Sequence, residues 1–133
     1  DPEAQVVLPL LESDLFDIFL HVTEGTLSDA DIRFSDMSAC CVIMASAGYP
    51  LKYEKGYEIK VPDDDAGIFF AGTKLSDDGR LLTDGGRVLG VTRTAKPLRQ
   101  AVDASYKAVD TIKFNGAYYR KDIGGRALKA LED

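Results

Sequence analysis

Two basic side chains, Lys74 and Arg87, lie on either side of the turns in the stretch TKLSDDGRLLTDGGRVLGVT (73–92). An ammonium and a guanidinium both form charge-assisted hydrogen bonds with anions, so the pair is a candidate anion site. The Asp78–Gly79 dipeptide between β-prone residues predicts a hairpin. With a two-residue loop Lys74 pairs with Thr83, and Arg87 follows on the same strand and the same face, roughly 13 Å away.

The glycine pair Gly85–Gly86 leaves the arrangement of these two cations open. A bulge there would add a residue, bend the strand and redirect Arg87. Strand periodicity alone does not say whether Lys74 and Arg87 converge on one point. Two solvated hairpin cations are the alternative interpretation.

Composition limits the classes of partner. The chain has 133 residues, 45% of them hydrophobic, which suffices for one domain with a core. It has 22 acidic against 16 basic residues, and a net charge of -6 repels nucleic acid and anionic membranes while leaving room for a local anion site. No apolar run is long enough for a membrane helix and no leader pattern is present, which predicts a soluble protein. Because the chain begins at Asp1, we expect it to be a piece of a longer protein.

The remaining chemistry-bearing residues point to no metal site. Cys40 and Cys41 are adjacent, so in a strand they face opposite sides and cannot easily bridge; free thiols fit a reducing cytosol. His21 has no partner at metal-ligand spacing and is interpreted as a helix-surface or core histidine. The acidic run 63–65 lacks the spacing of a calcium loop and is interpreted as a solvated turn. No catalytic triad, Walker loop or GxGxxG motif is present.

Helical signals open the chain. Asp1, Pro2 and Glu3 form a good helix start, with Asp1 as the N-cap. Apolar residues then recur at helical spacing as far as Val22. Pro9 must kink or break this stretch, and Ser13 is predicted to cap a second helix over 14–24, which Gly25 ends. One or two short amphipathic helices are therefore predicted.

From residue 31 the pattern becomes that of strands. They are predicted at 32–34, 39–47, 58–60, 67–72, 80–82 and 87–92. The segment ACCVIMASA (39–47) is apolar on both faces, as in a central buried strand. A helix is predicted after Pro97 from Leu98 to about Ile112, and a terminal helix from Arg126. The sequence therefore predicts an α+β fold, with helices packed on an antiparallel sheet.

Five segments in order resemble one enzyme family. They are DPEAQVVLPLL (1–11), SAGYPLKYEKGYEI (46–59), FFAGTK (69–74), GGRVLGVT (85–92) and FNGAYYRKDIGGRAL (114–128). Together they resemble the C-terminal part of phosphoribosylamine–glycine ligase, also called glycinamide ribonucleotide synthetase, an ATP-grasp ligase of purine biosynthesis. Ala47 departs from the family, in which many members have a second glycine before Tyr-Pro.

The resemblance implies a division of the chain and an activity for the full-length protein. Residues 1–27 would be tail helices of an ATP-grasp domain, and 28–133 a β-rich C-terminal domain of the rudimentary hybrid-motif type. The family joins glycine to phosphoribosylamine with ATP and magnesium or manganese, through glycyl phosphate. Its signature Arg-Phe-Gly-Asp-Pro-Glu-x-Gln is present here only from Asp1 to Gln5, and its metal-binding glutamate and asparagine lie upstream. The fragment is therefore expected to be inactive and to bind neither ATP nor metal.

The resemblance also assigns the two cations. In related purine ligases a lysine at a strand end and an arginine on the next strand hold the substrate's ribose phosphate, and AGTK and GGRVLG resemble those places. Lys74 and Arg87 are therefore the candidate contacts to the phosphate of phosphoribosylamine. Gly85 and Gly86 would let that phosphate approach the backbone.

Tyr49 and the pair Arg120 and Asp122 each have a functional and a structural interpretation. Tyr49 is a candidate edge of the substrate cleft, or it packs with Tyr53 over the sheet. Arg120 and Asp122 form either a structural ion pair or a contact with the preceding domain. The expected partners are small substrates and the rest of the same protein, in the cytoplasm and without nucleic acid or membrane. The rival hypothesis is a stand-alone domain that binds a phosphorylated metabolite or a protein.

Overall fold

Helices and strands are mixed along the chain. The computed structural model describes residues 2–64 and 66–131, so the predicted cap Asp1 and the last acid of the 63–65 run lie outside the described residues. The helices are α1 (Ala4–Val7), α2 (Leu15–Glu24), α3 (Leu98–Val109) and α4 (Gly125–Ala130), with 3-10 turns at Leu8–Leu10 and Leu27–Asp29; the strands are β1 (Ser38–Ser46), β2 (Ile68–Phe70), β3 (Thr73–Leu75), β4 (Leu81–Thr83), β5 (Arg87–Ala95) and β6 (Ala117–Tyr118). The predicted α+β class is confirmed.

The strands form two antiparallel sheets in the described part of the chain. One sheet has the order β2-β5-β1-β6, and β3 pairs with β4 in the other. The interior position of β1 confirms the prediction for 39–47. The strands predicted at 32–34 and 58–60 are wrong, because these segments form only isolated β-bridges. Phe34 bridges to Leu11, and the 58–60 segment bridges to Leu82 and Lys113.

The main core lies between the larger sheet and α3. Helix α3 packs against β1 and β5, as the helical stripe after Pro97 predicts. The buried apolar side chains are Cys40, Val42, Met44, Ala45, Ile59, Ile68, Val88, Leu89, Val91, Ala101, Val102, Val109, Ile112 and Phe114. Buried Ser105 links α3 to the sheet by hydrogen bonds. Its hydroxyl donates to the Cys40 carbonyl at 2.7 Å and accepts from the Arg93 N–H at 3.2 Å. Burial of this apolar set is the main favourable term in folding.

The hairpin of β3 and β4 differs from the predicted one. Lys74 pairs with Leu82, and Thr83 pairs with Thr73 instead. The loop has one more residue than expected because Gly79 adopts φ 80° and Ser76 bonds to Arg80, which is typical of a type I turn followed by a left-handed glycine. The register of Lys74 is therefore shifted by one residue, so the predicted pairing with Thr83 is wrong.

The chain also leaves this hairpin earlier than predicted. Strand β4 ends at Thr83, and Arg87 begins β5 in the larger sheet. Lys74 and Arg87 therefore belong to different sheets. The prediction that Arg87 lies on the same strand as Thr83 is wrong. The Asp84–Gly86 segment connects β4 in the two-stranded sheet to β5 in the four-stranded sheet.

The N-terminal helices follow the predicted breaks. Pro9 lies in the 3-10 turn after α1, and Gly25 ends α2 with φ 72°. The cap of α2 is Asp14, whose carboxylate accepts from the Phe16 N–H at 2.8 Å. The prediction of Ser13 as the cap is wrong because its hydroxyl bonds to backbone groups of the 31–33 segment.

Helix α2 keeps a large apolar face in contact with solvent. Phe16 is 67% exposed, Phe19 57% and Leu20 42%, and these residues share one face at helical spacing. Contiguous exposed apolar patches are typical of interaction surfaces. No described helix is long and apolar enough to cross a membrane.

Candidate functional site

Arg87 begins β5 where the ladder between β1 and β5 changes register. Met44 pairs with Leu89, but Ala45 pairs with Arg87, so Val88 is passed over. Val88 is fully buried while Arg87 is exposed. An extra residue in one strand bends it and redirects its side chains, which turns Arg87 away from the core.

Arg87 lines a cavity of about 390 Å³ together with Tyr49 and Arg120. The other walls are Ile43, Ala45, Pro50, Tyr118 and Tyr119. Two of the residues predicted separately, Tyr49 and Arg87, are therefore brought together. Aromatic walls with guanidinium groups suit a ligand that carries both a ring and a negative charge.

The Arg120 guanidinium is engaged by Asp122. Its Nε and Nη2 donate to the two carboxylate oxygens at 2.9 and 2.6 Å. This hydrogen bonding holds the pKa of Asp122 below its usual value. Of the two interpretations of this pair, the structure contains the ion pair, and Arg120 also borders the cavity.

Lys74 lies outside the residues that line this cavity. Its Nζ is 3.6 Å from Oδ1 of Asp84, and Nζ of Lys55 is 3.7 Å from the same oxygen. All three side chains are about half exposed. The structure thus places Lys74 with a second lysine that the sequence analysis did not select, at Asp84 and in a different sheet from Arg87.

The two glycines before Arg87 have neighbours that explain them without a ligand. A Cβ on Gly86 would lie 2.2 Å from Cδ2 of Tyr49 and 3.0 Å from Cε1 of Tyr53. A Cβ on Gly85 would lie 2.8 Å from Cα of Gly72. The sequence left open a bulge at Gly85–Gly86, and the register irregularity of β5 lies at Val88 instead. Their contact with substrate stays a prediction.

The first turn of the chain approaches the same end of the sheet. The Thr92 hydroxyl donates to the Gln5 carbonyl at 2.9 Å, which holds the segment on β5. The pKa of the Glu3 carboxyl is lowered, first by a hydrogen bond from its own backbone and in smaller measure by the positive charge of Arg87. The segment that resembles the family signature therefore packs on β5, the strand that Arg87 begins.

The described residues do not fit a bound metal. Within 2–64 and 66–131 no three His, Cys, Asp or Glu side chains are grouped as ligands. Nδ1 of His21 lies 2.9 Å from Oγ1 of Thr26, in agreement with a structural histidine. Cys40 and Cys41 are free, and burial raises the pKa of both thiols. No step through a metal is assigned to these residues.

The family of the chain follows from a direct match. The family profile for "Phosphoribosylglycinamide synthetase, C domain" matches residues 39–126. The chain belongs to this family. The match includes the strands and helix of the core as well as Tyr49, Lys74 and Arg87.

The similar proteins are longer than this chain. The chain is 50% identical over 133 residues to phosphoribosylamine–glycine ligase of Chlorobaculum tepidum, covering 96% of this chain and 31% of that protein. It is 47% identical over 138 residues to the bifunctional purine biosynthetic protein purD of Dictyostelium discoideum, covering 99% and 17%. The crystal structure of phosphoribosylamine–glycine ligase from Thermotoga maritima matches with a TM-score of 0.74 at 32% identity, over 92% of this chain and 30% of that chain. The chain thus spans less than a third of these relatives.

Sequence reasoning missed Lys55 and Asp84 of the C domain. Lys55 lies in the long loop after β1, and Asp84 lies 29 positions later, between β4 and β5. No periodicity relates a loop lysine to an aspartate at that separation. The available signal was the local KGY pattern of that loop (55–57), which does not specify a partner.

Proposed function

We propose that this chain is the C-terminal portion of an ATP-dependent ligase of purine biosynthesis that joins glycine to 5-phosphoribosylamine. The products of the full-length enzyme are glycinamide ribonucleotide, ADP and phosphate. The observation that carries the proposal is the 50% identity to phosphoribosylamine–glycine ligase over 96% of this chain. Its agreement with the C-domain family supports the same conclusion.

We propose a boundary near residue 27. Residues 1–27 are the tail helices of an ATP-grasp domain, and residues 28–133 form the C-terminal domain of rudimentary hybrid-motif type. The exposed apolar face of α2 supports this division, because a helix with Phe16 and Phe19 in solvent lacks part of its packing. The preceding part of the ligase covers that face.

The chain contributes contacts to the phosphate of phosphoribosylamine. Arg87 offers a planar fork to two phosphate oxygens, and Lys74 offers a mobile point charge. Tyr49 forms the cavity wall beside Arg87, which supports its proposed place at the edge of the substrate cleft. Gly85 and Gly86, which have no side chains, let this phosphate approach the backbone.

ATP and magnesium or manganese belong to the rest of the enzyme. When bound there, ATP would supply the phosphoryl group that activates the glycine carboxylate, and the metal ion would neutralise the phosphate charge. The described residues of this chain include no set of metal ligands, so the fragment is proposed to be inactive and to bind neither group. The proposed setting is cytoplasmic, with small-molecule substrates and neither nucleic acid nor membrane as partner.

The test is an assay of two proteins in parallel. The full-length protein should form glycinamide ribonucleotide and one ADP per product when given phosphoribosylamine, glycine and ATP. The 133-residue chain should form none, although it should retain near-UV dichroism. A full-length protein that lacks ligase activity while binding another phosphorylated metabolite would contradict the proposal and favour a stand-alone binding role.

A further inference from the structure

Two lysines from separate parts of the chain converge on one carboxylate oxygen. Lys55 comes from the loop after β1 and Lys74 from β3, and their Nζ atoms lie 3.7 and 3.6 Å from Oδ1 of Asp84. The cluster carries a net positive charge in a chain with a net charge of -6. A local positive charge of this kind attracts small anions even though the net negative charge of the protein repels them on average.

The backbone around the cluster is fixed by hydrogen bonds. The Asp84 N–H donates to the Gly72 carbonyl at 2.7 Å, two residues before Lys74. The Gly56 N–H, next to Lys55, donates to the Thr83 carbonyl at 2.7 Å. Thr83 is fully buried, so the loop, β3 and the segment carrying Asp84 are held together. This arrangement positions both lysine stems before any ligand binds.

The distances leave the ammonium groups with unused donors. A charge-assisted hydrogen bond is about 2.7–2.9 Å long, and both Asp84 contacts are longer. Each lysine side chain is 52% exposed, and Asp84 is 40% exposed, so an anion can reach them. One phosphate that accepts hydrogen bonds on two sides can bridge two nitrogen atoms up to roughly 8 Å apart. The two Nζ atoms, which contact the same oxygen of Asp84, lie within that distance of each other.

We infer that Lys55 is a further contact for the substrate's phosphate beside Lys74, and that Asp84 positions the two ammonium groups. The inference rests on the proposed function, because it names a residue of the same phosphate site. The ligand class is a phosphomonoester dianion on a sugar. Asp84 is a positioning residue, since it acts through the lysines and itself repels the ligand.

The first experiment uses the full-length ligase with ribose 5-phosphate as an inhibitor competing with phosphoribosylamine. Lys55→Met should weaken inhibition by ribose 5-phosphate roughly ten- to a hundred-fold and raise KM for phosphoribosylamine similarly, as for loss of a hydrogen bond to a charged group. KM for ATP and for glycine should stay within about twofold, since the proposed function assigns ATP to the rest of the enzyme. Lys55→Arg should retain most of the affinity because the positive charge remains.

The matched control is Lys96→Met. Lys96 is an exposed lysine whose Nζ contacts a single aspartate, Asp36, at 2.5 Å, away from the cluster. It should leave every constant unchanged. If Lys55→Met behaves like Lys96→Met in an enzyme that ribose 5-phosphate inhibits, the inference is wrong while the proposed function stands.

Asp84→Ala tests positioning by the sign of its effect. If Asp84 only opposed the phosphate, removing its charge would tighten binding of ribose 5-phosphate. Positioning predicts the opposite, a weakening of about three- to tenfold with an unchanged melting temperature. Tighter binding would overturn the role given to Asp84. An enzyme without ligase activity in its unmodified form would refute the proposed function itself, and with it this inference.

Discussion

A methyl group at Gly90 should loosen the first turn of the chain from the sheet. Gly90 lies in the middle of β5, opposite Ile43 on β1 and Phe69 on β2. A Cβ there would lie 1.9 Å from Oε1 of Gln5 and 3.3 Å from Sγ of Cys41. The Gly90→Ala variant therefore cannot keep the Gln5 side chain in place.

The size of the effect follows from which atoms must move. The nearest atom is the end of a flexible side chain, so overpacking should cost near the low end of its usual range, about 1–3 kcal/mol. The alanine also restricts the unfolded chain, which returns about 0.4–1 kcal/mol. We expect a net loss of about 1 kcal/mol in the free energy of unfolding.

Denaturant unfolding of the 133-residue chain measures this loss. Gly125→Ala is the matched control, because a Cβ there meets nothing within 4 Å and its φ is not positive. In a Gln5→Ala background the cost of Gly90→Ala should shrink, because residues in contact are coupled. An undiminished cost in that background, or no cost in either, would refute the docking of Gln5 over Gly90.

Two further predictions concern dynamics and charge. In hydrogen exchange, amides of α2 should open before those of β1, because every side chain of α2 is partly exposed whereas β1 pairs with β5 along nearly its whole length and contributes buried residues to the core. Equal protection would indicate a self-contained unit. In a carboxyl NMR titration the pKa of Asp122 should be below its ordinary value and rise in Arg120→Gln but not in Lys121→Gln. Because the pKa of Asp122 is lower in the folded state, the ion pair stabilises the fold at pH values above the ordinary pKa of the carboxyl. This contribution is lost as the pH falls through the lowered pKa. A pKa of Asp122 that does not change in Arg120→Gln would contradict this prediction.

Local signals were sufficient for much of the fold. The apolar run at 39–47 predicted an interior strand, and the helix after Pro97 was predicted from its apolar spacing. These elements follow from contacts within one periodic segment. The hairpin register was wrong because one left-handed glycine, Gly79, lengthens the loop by a residue, and periodicity does not distinguish the two loops.

The site depends on contacts that sequence spacing does not encode. Tyr49 and Arg87 line one cavity because the long loop after β1 folds back over Gly86. Lys74 lies instead at Asp84, since β4 ends before β5 begins and the two strands enter different sheets. Both arrangements result from crossings between sheets, which no single segment specifies.

The most direct test of the phosphate assignment is the substrate dependence of Arg87→Ala in the full-length ligase. The proposal predicts that kcat/KM for phosphoribosylamine falls roughly ten- to a hundred-fold, or about 1.5–3 kcal/mol, with apparent affinities for ATP and glycine nearly unchanged. Arg80→Ala, which removes an exposed arginine paired with Asp78 in the hairpin turn, should leave all three unchanged. An Arg87→Ala enzyme that matches Arg80→Ala, or that loses all three substrates equally, would contradict the assignment.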